Sequence, residues 1–395
     1  MIEAREFVEA ARARGFDWYA GVPCSYLTPF INYVLQEDSL RYVSMANEGD
    51  AVALAAGVTL GGGRGVAMMQ NSGLGNAVSP LTSLTWTFRL PQLLIVTWRG
   101  EPGAPDEPQH ALMGPVTPAM LDTMEIPWEV FPAETAAIAP ALERAAAHMQ
   151  ATGRPYALVM RKGSVAPHAL QPGAAGTPAV TGTVVTVEER QRGVAPGSRP
   201  SRRDALAEVV AGTPLESTVV LASTGYCGRE LYALDDRPNQ LYMVGSMGCV
   251  TPLALGLALA RPDLKVVALD GDGAALMRMG AMATIGAYRP ANLWHLLLDN
   301  AAHESTGGQG TVSAAVSFGQ VAAACGYATA LETDAAADLG AWLRLSQGAG
   351  PRFARLRTRT GTPHDLPRPK TTPEQVRARF MRHIGAGRVG PDHGA

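Results

Sequence analysis

Acidic and amide side chains follow two apolar segments in the second half of the chain. The segment KVVALD (265–270) runs into Gly271-Asp272-Gly273, and LWHLLLD (293–299) is followed by Asn300. Carboxylate and amide oxygens are hard ligands suited to Mg²⁺ or Ca²⁺. Glycine lets backbone N–H groups approach an anion such as phosphate. The pairing therefore predicts a metal ion that bridges Asp272, Asn300 and a diphosphate.

Each half of this pattern has a simpler explanation by itself. Asp-Gly is among the commonest turn pairs, so the glycine-flanked Asp272 alone predicts only a turn. The Asp-Asn pair after the next strand, followed by the loop HESTGGQG (303–310), favours a ligand site. A plain phosphate-binding protein that uses the glycine turn as an anion site stays open as an alternative.

A third acidic group, Glu48, lies in the first half of the chain within ANEGDAVALAAG (46–57). It precedes a helical run of small apolar residues, and apolar surroundings favour the protonated form of a carboxylate. Such a group can share a proton with a ring nitrogen of a bound molecule. The alternative is structural, with Asn47 capping the helix and Glu48 interacting with the helix dipole.

Segments typical of strands and helices alternate in both halves. Strands are predicted for FDWYAGVP (16–23), RYVSM (41–45), RGVAMMQ (64–70), QLLIVTW (92–98), PYALVMR (155–161), TVVLAS (218–223), LYMV (241–244), LKVVALD (264–270), LWHLLLD (293–299) and FARLR (353–357). Helical runs between them include 48–60, 202–212, 250–260 and 274–288. This alternation predicts α/β domains with doubly wound parallel sheets, whose ligands bind beyond the carboxyl ends of the strands.

Changes in composition divide the chain into two α/β domains. We predict a first domain at 1–164, a linker rich in Pro, Gly and Ala at 165–200, a second domain at 201–386 and a loose tail at 387–395, with no third domain between them. Near the end, Thr372-Pro373-Glu374-Gln375 has the form of a capping box with proline at the first helical position, which predicts a terminal helix.

Composition excludes several classes of function. The 395 residues are 47% hydrophobic and 17% charged, and a net charge of −2 argues against a nucleic-acid surface. The four cysteines are scattered, which suits reduced thiols better than disulfides or a zinc site. The first 15 residues are typical of an amphipathic helix, and no apolar run is long enough to span a bilayer. We expect a soluble cytoplasmic protein with no membrane or nucleic-acid partner.

The glycine-flanked Asp272 and the later Asp-Asn pair resemble the signature of enzymes that depend on thiamine diphosphate. The resemblance implies that Asp272, Asn300 and the backbone carbonyl of Ala302 bind Mg²⁺. It also implies that Met247 props the cofactor into a bent shape, and that the Gly245 carbonyl accepts a hydrogen bond from the aminopyrimidine. Ordinary core filling is the alternative for Met247.

The segment around Glu48 resembles the part of the same family that carries its catalytic glutamate. The resemblance implies that Glu48 shares a proton with the pyrimidine and thereby activates the cofactor. In this family the glutamate and the diphosphate site usually belong to different subunits. The first domain is therefore expected to bind the pyrimidine and the second the diphosphate, within a homo-oligomer whose active sites are shared between subunits.

Longer strings are similar to one group of this family, the decarboxylases of phosphonopyruvate and sulfopyruvate. They span 21–34, 46–57, 70–84, 98–110 and 299–313. The resemblance implies decarboxylation of 3-phosphonopyruvate to phosphonoacetaldehyde and CO₂ in phosphonate biosynthesis. Sulfopyruvate or another 3-anionic 2-oxo acid is the alternative substrate, and a non-catalytic thiamine-diphosphate-binding subunit is the alternative of another class. The chain departs from the group's pattern at 226–228 and at Cys249.

The resemblance and the charge of the substrate together suggest further site residues. The remaining cofactor contacts are expected from Thr224, Gly225, Gly271, Gly273, Ala274, Ser305 and Thr306. Because a phosphonate needs cationic or N–H donors, the candidate substrate contacts are Ser25, Asn71, Ser72, Arg99 and His110. His110 and His303 join Glu48 as candidate catalytic residues. The alternatives are a surface position for His110 and a structural ion pair of Arg99 with Glu101 or Asp106.

Overall fold

The protein consists of two units in the computed structural model, which describes residues 1–174 and 185–387. One unit lies within residues 1–177 and the other within residues 178–387. The middle of the predicted linker and nearly all of the predicted loose tail lie outside the described residues. In the described ranges, no helix is both long and apolar enough to cross a membrane.

Six parallel strands form the sheet of the first unit, in the order β2-β1-β3-β4-β6-β5. The strands are β1 (Phe16–Gly21), β2 (Arg41–Ser44), β3 (Arg64–Gln70), β4 (Leu93–Thr97), β5 (Trp128–Val130) and β6 (Tyr156–Met160). The chain passes from β1 to β2 on one side and then to β3 on the other. This reversal between β1 and β3 is the kind of switch point at which open α/β sheets bind ligands.

Helices cover both faces of this sheet. They are α1 (Ala4–Arg12), α2 (Thr28–Gln36), α3 (Glu48–Leu60), α4 (Leu74–Pro80), α5 (Trp86–Phe88), α6 (Met113–Thr123) and α7 (Thr135–Thr152). Alternate strand residues belong to two different hydrophobic clusters, with Val66 and Met68 in one and Ala67 and Met69 in the other. Both faces of the strands are therefore buried, as expected for a parallel sheet.

The second unit has a seven-stranded parallel sheet in the order β7-β14-β15-β11-β10-β8-β9, and a separate antiparallel pair, β12-β13. The strands are β7 (Val187–Arg190), β8 (Thr218–Ala222), β9 (Gln240–Tyr242), β10 (Lys265–Gly271), β11 (Leu293–Asp299), β12 (Ala302–His303), β13 (Gln309–Gly310), β14 (Thr329–Thr333) and β15 (Arg352–Arg357). Here the chain reverses between β8 and β10, which places a second switch point beside the glycine turn.

In its described residues the second unit contains eight α-helices, and those that were predicted begin within two residues of the predicted positions. They are α8 (Arg202–Gly212), α9 (Tyr226–Leu234), α10 (Val250–Ala260), α11 (Asp272–Met277), α12 (Gly280–Tyr288), α13 (Phe318–Ala324), α14 (Ala336–Leu343) and α15 (Pro373–His383). The capping box of α15 is confirmed, because the Thr372 hydroxyl accepts from the Gln375 N–H and the Gln375 side chain accepts from the Thr372 N–H.

The predicted fold class is confirmed, and several elements differ from the prediction. The run 274–288 forms two helices, because the backbone leaves the helical region at Arg278. Strands β5 and β14 were not predicted. Strand β7 lies inside the segment that we expected to be a linker. It is exposed and charged, and it forms through backbone pairing with β14 at the edge of the sheet, so it carries no hydrophobic signal.

Candidate active site

Three neighbouring strands of the second unit bring the predicted cofactor residues together. Strand β10 pairs with β8 on one side and with β11 on the other, all parallel. The chain segments that follow these strands therefore converge at one end of the sheet. A cavity opens there, and it is lined by Thr224, Gly225, Met247, Gly271, Asp272, Gly273, Ala274, Asn300, Ala302, His303 and Ser305. Two predicted residues, Gly245 and Thr306, do not line it.

Asp272 is a buried carboxylate with one strong hydrogen bond. Its Oδ2 accepts from the Thr311 hydroxyl at 2.5 Å. Burial raises the pKa of Asp272, and the nearby Asp299 raises it further. No Lys or Arg of the described chain forms an ion pair with Asp272. A buried carboxylate without a cationic partner is costly, so a divalent cation suits this position.

The chain turns sharply at the other predicted metal ligands. Ala301 has a φ of 59°, which is unusual for a residue with a side chain. The turn is held by two hydrogen bonds, from the Ala302 N–H to Asn300 Oδ1 at 3.0 Å and from the Thr311 N–H to the Ala301 carbonyl at 3.0 Å. Backbone strain of this kind is typical of functional sites.

Asp299, the residue before Asn300, has a supporting role in the fold. Its Oδ1 accepts from the Ala301 N–H and from the Ser313 hydroxyl, both at 2.9 Å. Its Oδ2 accepts from Nε and Nη2 of Arg355, at 2.8 and 2.5 Å. Arg355 also donates to Glu332 at 3.1 Å. Asp299 is fully engaged with the protein, so it anchors the turn that carries the candidate metal ligands.

Gly273 is a glycine because two side chains press against it. A Cβ at this position would lie 2.4 Å from Cε1 of His303 and 3.1 Å from Cε of Met247. The bulky Met247 thus lines the cavity beside the glycine turn. His303 lines the cavity and is half-buried. Thr306 does not line the cavity, but its hydroxyl donates to the His303 carbonyl at 3.2 Å.

Arg202 also lines the cavity, although no sequence pattern indicated it. Arg202 is only 5% exposed and forms ion pairs with Glu230 and Glu304. Burial alone would lower the pKa of its guanidinium, but the surrounding negative groups keep the pKa above its ordinary value. Nothing in the string RRDAL distinguishes Arg202 from a solvent-facing helix residue, since its partners are distant in sequence.

Cys227 occupies one of the positions at which the chain departs from the related group. Its thiol lines the cavity and is buried. Burial raises the pKa of the Cys227 thiol to about 12. A thiol with that pKa is protonated at neutral pH, so Cys227 is a small apolar wall of the cavity and not a nucleophile.

Glu48 is the first residue of α3, and its side chain is half-buried. Asn47 caps the helix by accepting from the Gly49 N–H at 2.8 Å. The Glu48 carboxylate is not used for capping, because its Oε2 accepts from Nδ2 of Asn76 at 2.8 Å. A Cβ on Gly73 would lie 2.4 Å from the Glu48 side chain. The structure therefore holds this carboxylate between α3 and the start of α4.

Arg99 forms a structural ion pair, one of the two alternatives for this residue. Its Nε and Nη2 donate to the Asp106 carboxylate at 2.8 and 2.5 Å. This interaction holds the pKa of Asp106 well below its usual range. Nη1 remains directed at the Ser25 hydroxyl, 3.4 Å away. Ser25 is exposed, so the Arg99–Ser25 pair keeps one cationic donor near the surface.

The other candidate substrate residues of the first unit follow β3 and β4. Asn71 is buried, and its Nδ2 donates to the Arg99 carbonyl and to the Thr117 hydroxyl, which leaves Oδ1 without a protein donor among the described residues. Ser72 is exposed and accepts from Gln70 at 2.6 Å. His110 is 4% exposed, so the surface alternative for it is wrong.

Comparisons with known proteins agree with this arrangement. Residues 3–126 match the family described as thiamine pyrophosphate enzyme, N-terminal TPP binding domain, and residues 224–353 match the corresponding C-terminal TPP binding domain. Phosphonopyruvate decarboxylase of Streptomyces viridochromogenes is 44% identical over 100% of this chain and 98% of that protein. Sulfopyruvate decarboxylase of Methanosarcina acetivorans is 31% identical over 77% of each chain.

A solved structure has the same fold despite low identity. The 4-hydroxybenzoylformate decarboxylase of Rhodococcus jostii RHA1, described as thiamine diphosphate-dependent, superposes with a TM-score of 0.68 at 15% identity, covering 91% of this chain and 100% of that one. Two parallel-sheet units, one matching each TPP binding domain, are characteristic of a class of cofactor-binding enzymes. In this chain the polar cavity lies beyond β8, β10 and β11. The chain belongs to the thiamine pyrophosphate enzymes and, among them, to the decarboxylases.

The buried ion pair of Arg355 makes a testable contribution to stability. We expect Arg355→Met to lower the free energy of unfolding by about 3–5 kcal/mol, because it leaves the Asp299 carboxylate buried without a cation and leaves Glu332 with only the more distant Arg357. The matched control is Arg144→Met, which removes an exposed ion pair with Glu129 and should cost much less, since water screens the pair. Urea unfolding of both variants measures the difference. Equal small losses would contradict the role given to Arg355.

Proposed function

We propose that this protein is a phosphonopyruvate decarboxylase, which converts 3-phosphonopyruvate to phosphonoacetaldehyde and CO₂. The observation that carries the proposal is the 44% identity, over the whole chain, to a protein of that name. Similarity to the sulfopyruvate enzyme is lower and covers less of the chain. The alternative of a non-catalytic subunit is disfavoured, because one chain contains both Glu48 and the Asp272–Asn300 pair.

We assign the cofactor to residues that fit it chemically. Asp272, Asn300 and the Ala302 carbonyl would hold Mg²⁺, since an unpaired buried carboxylate, an amide oxygen and a carbonyl form an oxygen-rich set. The other cavity residues would contact thiamine diphosphate, with Met247 against its central part. When bound, thiamine diphosphate supplies the nucleophilic carbon and the electron sink that decarboxylation of a 2-oxo acid requires.

Residues of the first unit would handle protons and the substrate anion. Glu48, held by Asn76 against Gly73, would exchange a proton with the aminopyrimidine, the task for which a half-buried carboxylate is suited. Ser25, Ser72 and the Nη1 of Arg99 offer hydrogen-bond donors near the surface, where they would contact the phosphonate. His110 and His303 stay candidate catalytic residues, and Asn71 a candidate substrate contact.

The substrate is tested by direct comparison. We expect CO₂ release from phosphonopyruvate to depend on added thiamine diphosphate and Mg²⁺. We expect kcat/KM to exceed that for sulfopyruvate by about tenfold or more, since a phosphonate dianion carries one more negative charge than a sulfonate and forms stronger charge-assisted hydrogen bonds with the same donors. Pyruvate, which lacks the second anion, is the control and should react more slowly still. A preference for sulfopyruvate would replace the proposed substrate with the alternative one.

The role of Glu48 is tested by a change that keeps its size. We expect Glu48→Gln to lower kcat about 10²- to 10⁴-fold, because the amide cannot exchange a proton with the cofactor. Binding of thiamine diphosphate and Mg²⁺, measured by calorimetry, should change little, since the proposed anchors lie in the second unit. The exposed Glu134→Gln serves as the control. A Glu48→Gln variant with near-native kcat would exclude Glu48 from catalysis.

We also propose a homo-oligomer in which each active site takes Glu48 from one copy and Asp272 from another. Co-expression of Glu48→Gln with Asp272→Asn tests it. In mixed oligomers some sites receive both native residues, so activity should return to roughly a quarter of the native value, as random pairing across symmetric interfaces predicts. Each variant expressed alone is the control. No recovery in mixed oligomers would place both residues of a site in the same copy.

A further inference from the structure

Four polar side chains connect the candidate metal ligand Asn300 to the interior of the second unit. Nδ2 of Asn300 donates to Oε2 of Glu304 at 2.7 Å. Arg202 donates to the same oxygen of Glu304 through Nη2, and to Glu230 through Nη1. We call the set Asn300, Glu304, Arg202 and Glu230 the Glu304 clamp. It joins the end of β11 to the first residue of α8 and to α9.

The clamp determines which way the Asn300 amide points. Glu304 can only accept a hydrogen bond, so it requires the NH₂ group of Asn300. On the other side of the amide, the Ala302 N–H can only donate, so it requires the oxygen. Rotation of the amide by half a turn would set oxygen against carboxylate and NH₂ against N–H. Both contacts would then be repulsive, and two hydrogen bonds would be lost.

Glu304 is itself fixed from three directions. Its Oε1 accepts from the Gly361 N–H at 2.5 Å, and its Oε2 accepts from both Arg202 and Asn300. Arg202 is 5% exposed and stacks near the Tyr226 ring, 5.6 Å from the ring centre. Its charge compensates a carboxylate that would otherwise be expensive to keep half-buried beside a cavity. Glu304 therefore has little freedom to release the amide.

We propose that Glu304 is a positioning residue of the metal site. It holds the Asn300 amide so that Oδ1, and not the NH₂ group, is presented to a metal ion shared with Asp272. The proposal rests on the metal site assigned under the proposed function. Groups that orient a metal ligand from behind commonly change metal affinity 10- to 100-fold when they are removed.

The test measures metal binding directly, without substrate. Mn²⁺, an oxygen-preferring divalent ion, is titrated into the full-length protein with thiamine diphosphate, and free Mn²⁺ is followed by electron paramagnetic resonance. We expect Glu304→Gln to weaken Mn²⁺ binding about 10- to 100-fold, because glutamine can face Asn300 with either an oxygen or an NH₂ group. Excess Mg²⁺ should restore much of the kcat of Glu304→Gln.

Two control variants separate positioning from loss of an ion pair. Glu230→Gln removes the negative charge of the second carboxylate that pairs with Arg202. It leaves the Glu304–Asn300 hydrogen bond in place, so its effect on Mn²⁺ affinity should be much smaller. Asp236→Asn removes an ion pair with Arg379 elsewhere in the second unit and should leave Mn²⁺ affinity unchanged. Thermal unfolding without metal shows whether the Glu304→Gln and Glu230→Gln proteins are equally folded.

In a protein that already carries Asn300→Asp, Glu304→Gln should change Mn²⁺ affinity in the opposite direction. In Asn300→Asp, two carboxylates face each other, and Glu304→Gln then removes a repulsion. Adding Glu304→Gln to Asn300→Asp should therefore strengthen Mn²⁺ binding, whereas in the native background it weakens binding. Two results would overturn the positioning role of Glu304. One is an equal loss of Mn²⁺ affinity in Glu304→Gln and Glu230→Gln, and the other is a Glu304→Gln effect on Mn²⁺ affinity with the same sign in both backgrounds. Absence of Mn²⁺ binding to the native protein would instead overturn the metal site itself.

Discussion

The parallel pairing of β10 with β8 and β11 is the constraint on which the candidate site depends. In this register Gly271 stands opposite Leu298 across the β10–β11 pair. Paired strands are about 4.8 Å apart, so the residues that follow them, Asp272 and Asn300, leave the sheet as neighbours. The side chains of β10 and β11 are buried on both faces. A slip of one residue would move each side chain into the packing of the other face, which disfavours other registers.

The buried carboxylates around the turn after β11 are of two kinds, those paired with an arginine of the described chain and Asp272, which is not. Asp299 and Glu332 share Arg355, and Glu230 and Glu304 share Arg202. These paired carboxylates have their charge compensated within the protein and hold the turn on two sides. Asp272, in contrast, has only a hydroxyl donor from a side chain. Asp272 has no cationic partner among the described residues and lines the cavity, so it is suited to accept a cation from outside.

Much of the fold was predictable because local signals agree with the final structure. Strands with buried apolar runs and the helix at 48–60 were placed within a residue or two. β7 was missed because an exposed edge strand is specified by its pairing with β14 and not by its own residues. The clustering of the cavity residues followed from strand-end positions. Arg202 and Arg355 could not be predicted, because their partners come from other strands and loops and leave no local pattern.

An anion bound at Arg99, as proposed for the first unit, would meet a guanidinium that already pairs with Asp106. A guanidinium has five N–H donors in a fixed plane. Asp106 takes those on Nε and on one side of Nη2, and its depressed pKa keeps it ionised throughout the physiological range. The orientation of Arg99 is therefore independent of pH near neutrality. Both N–H groups of Nη1, which lies beside Ser25, and the remaining N–H of Nη2 are left to face a ligand. A phosphonate bound here would thus meet the outer edge of one guanidinium together with hydroxyl donors, so selection between phosphonate and sulfonate depends on the extra negative charge of the phosphonate and the stronger hydrogen bonds that it accepts.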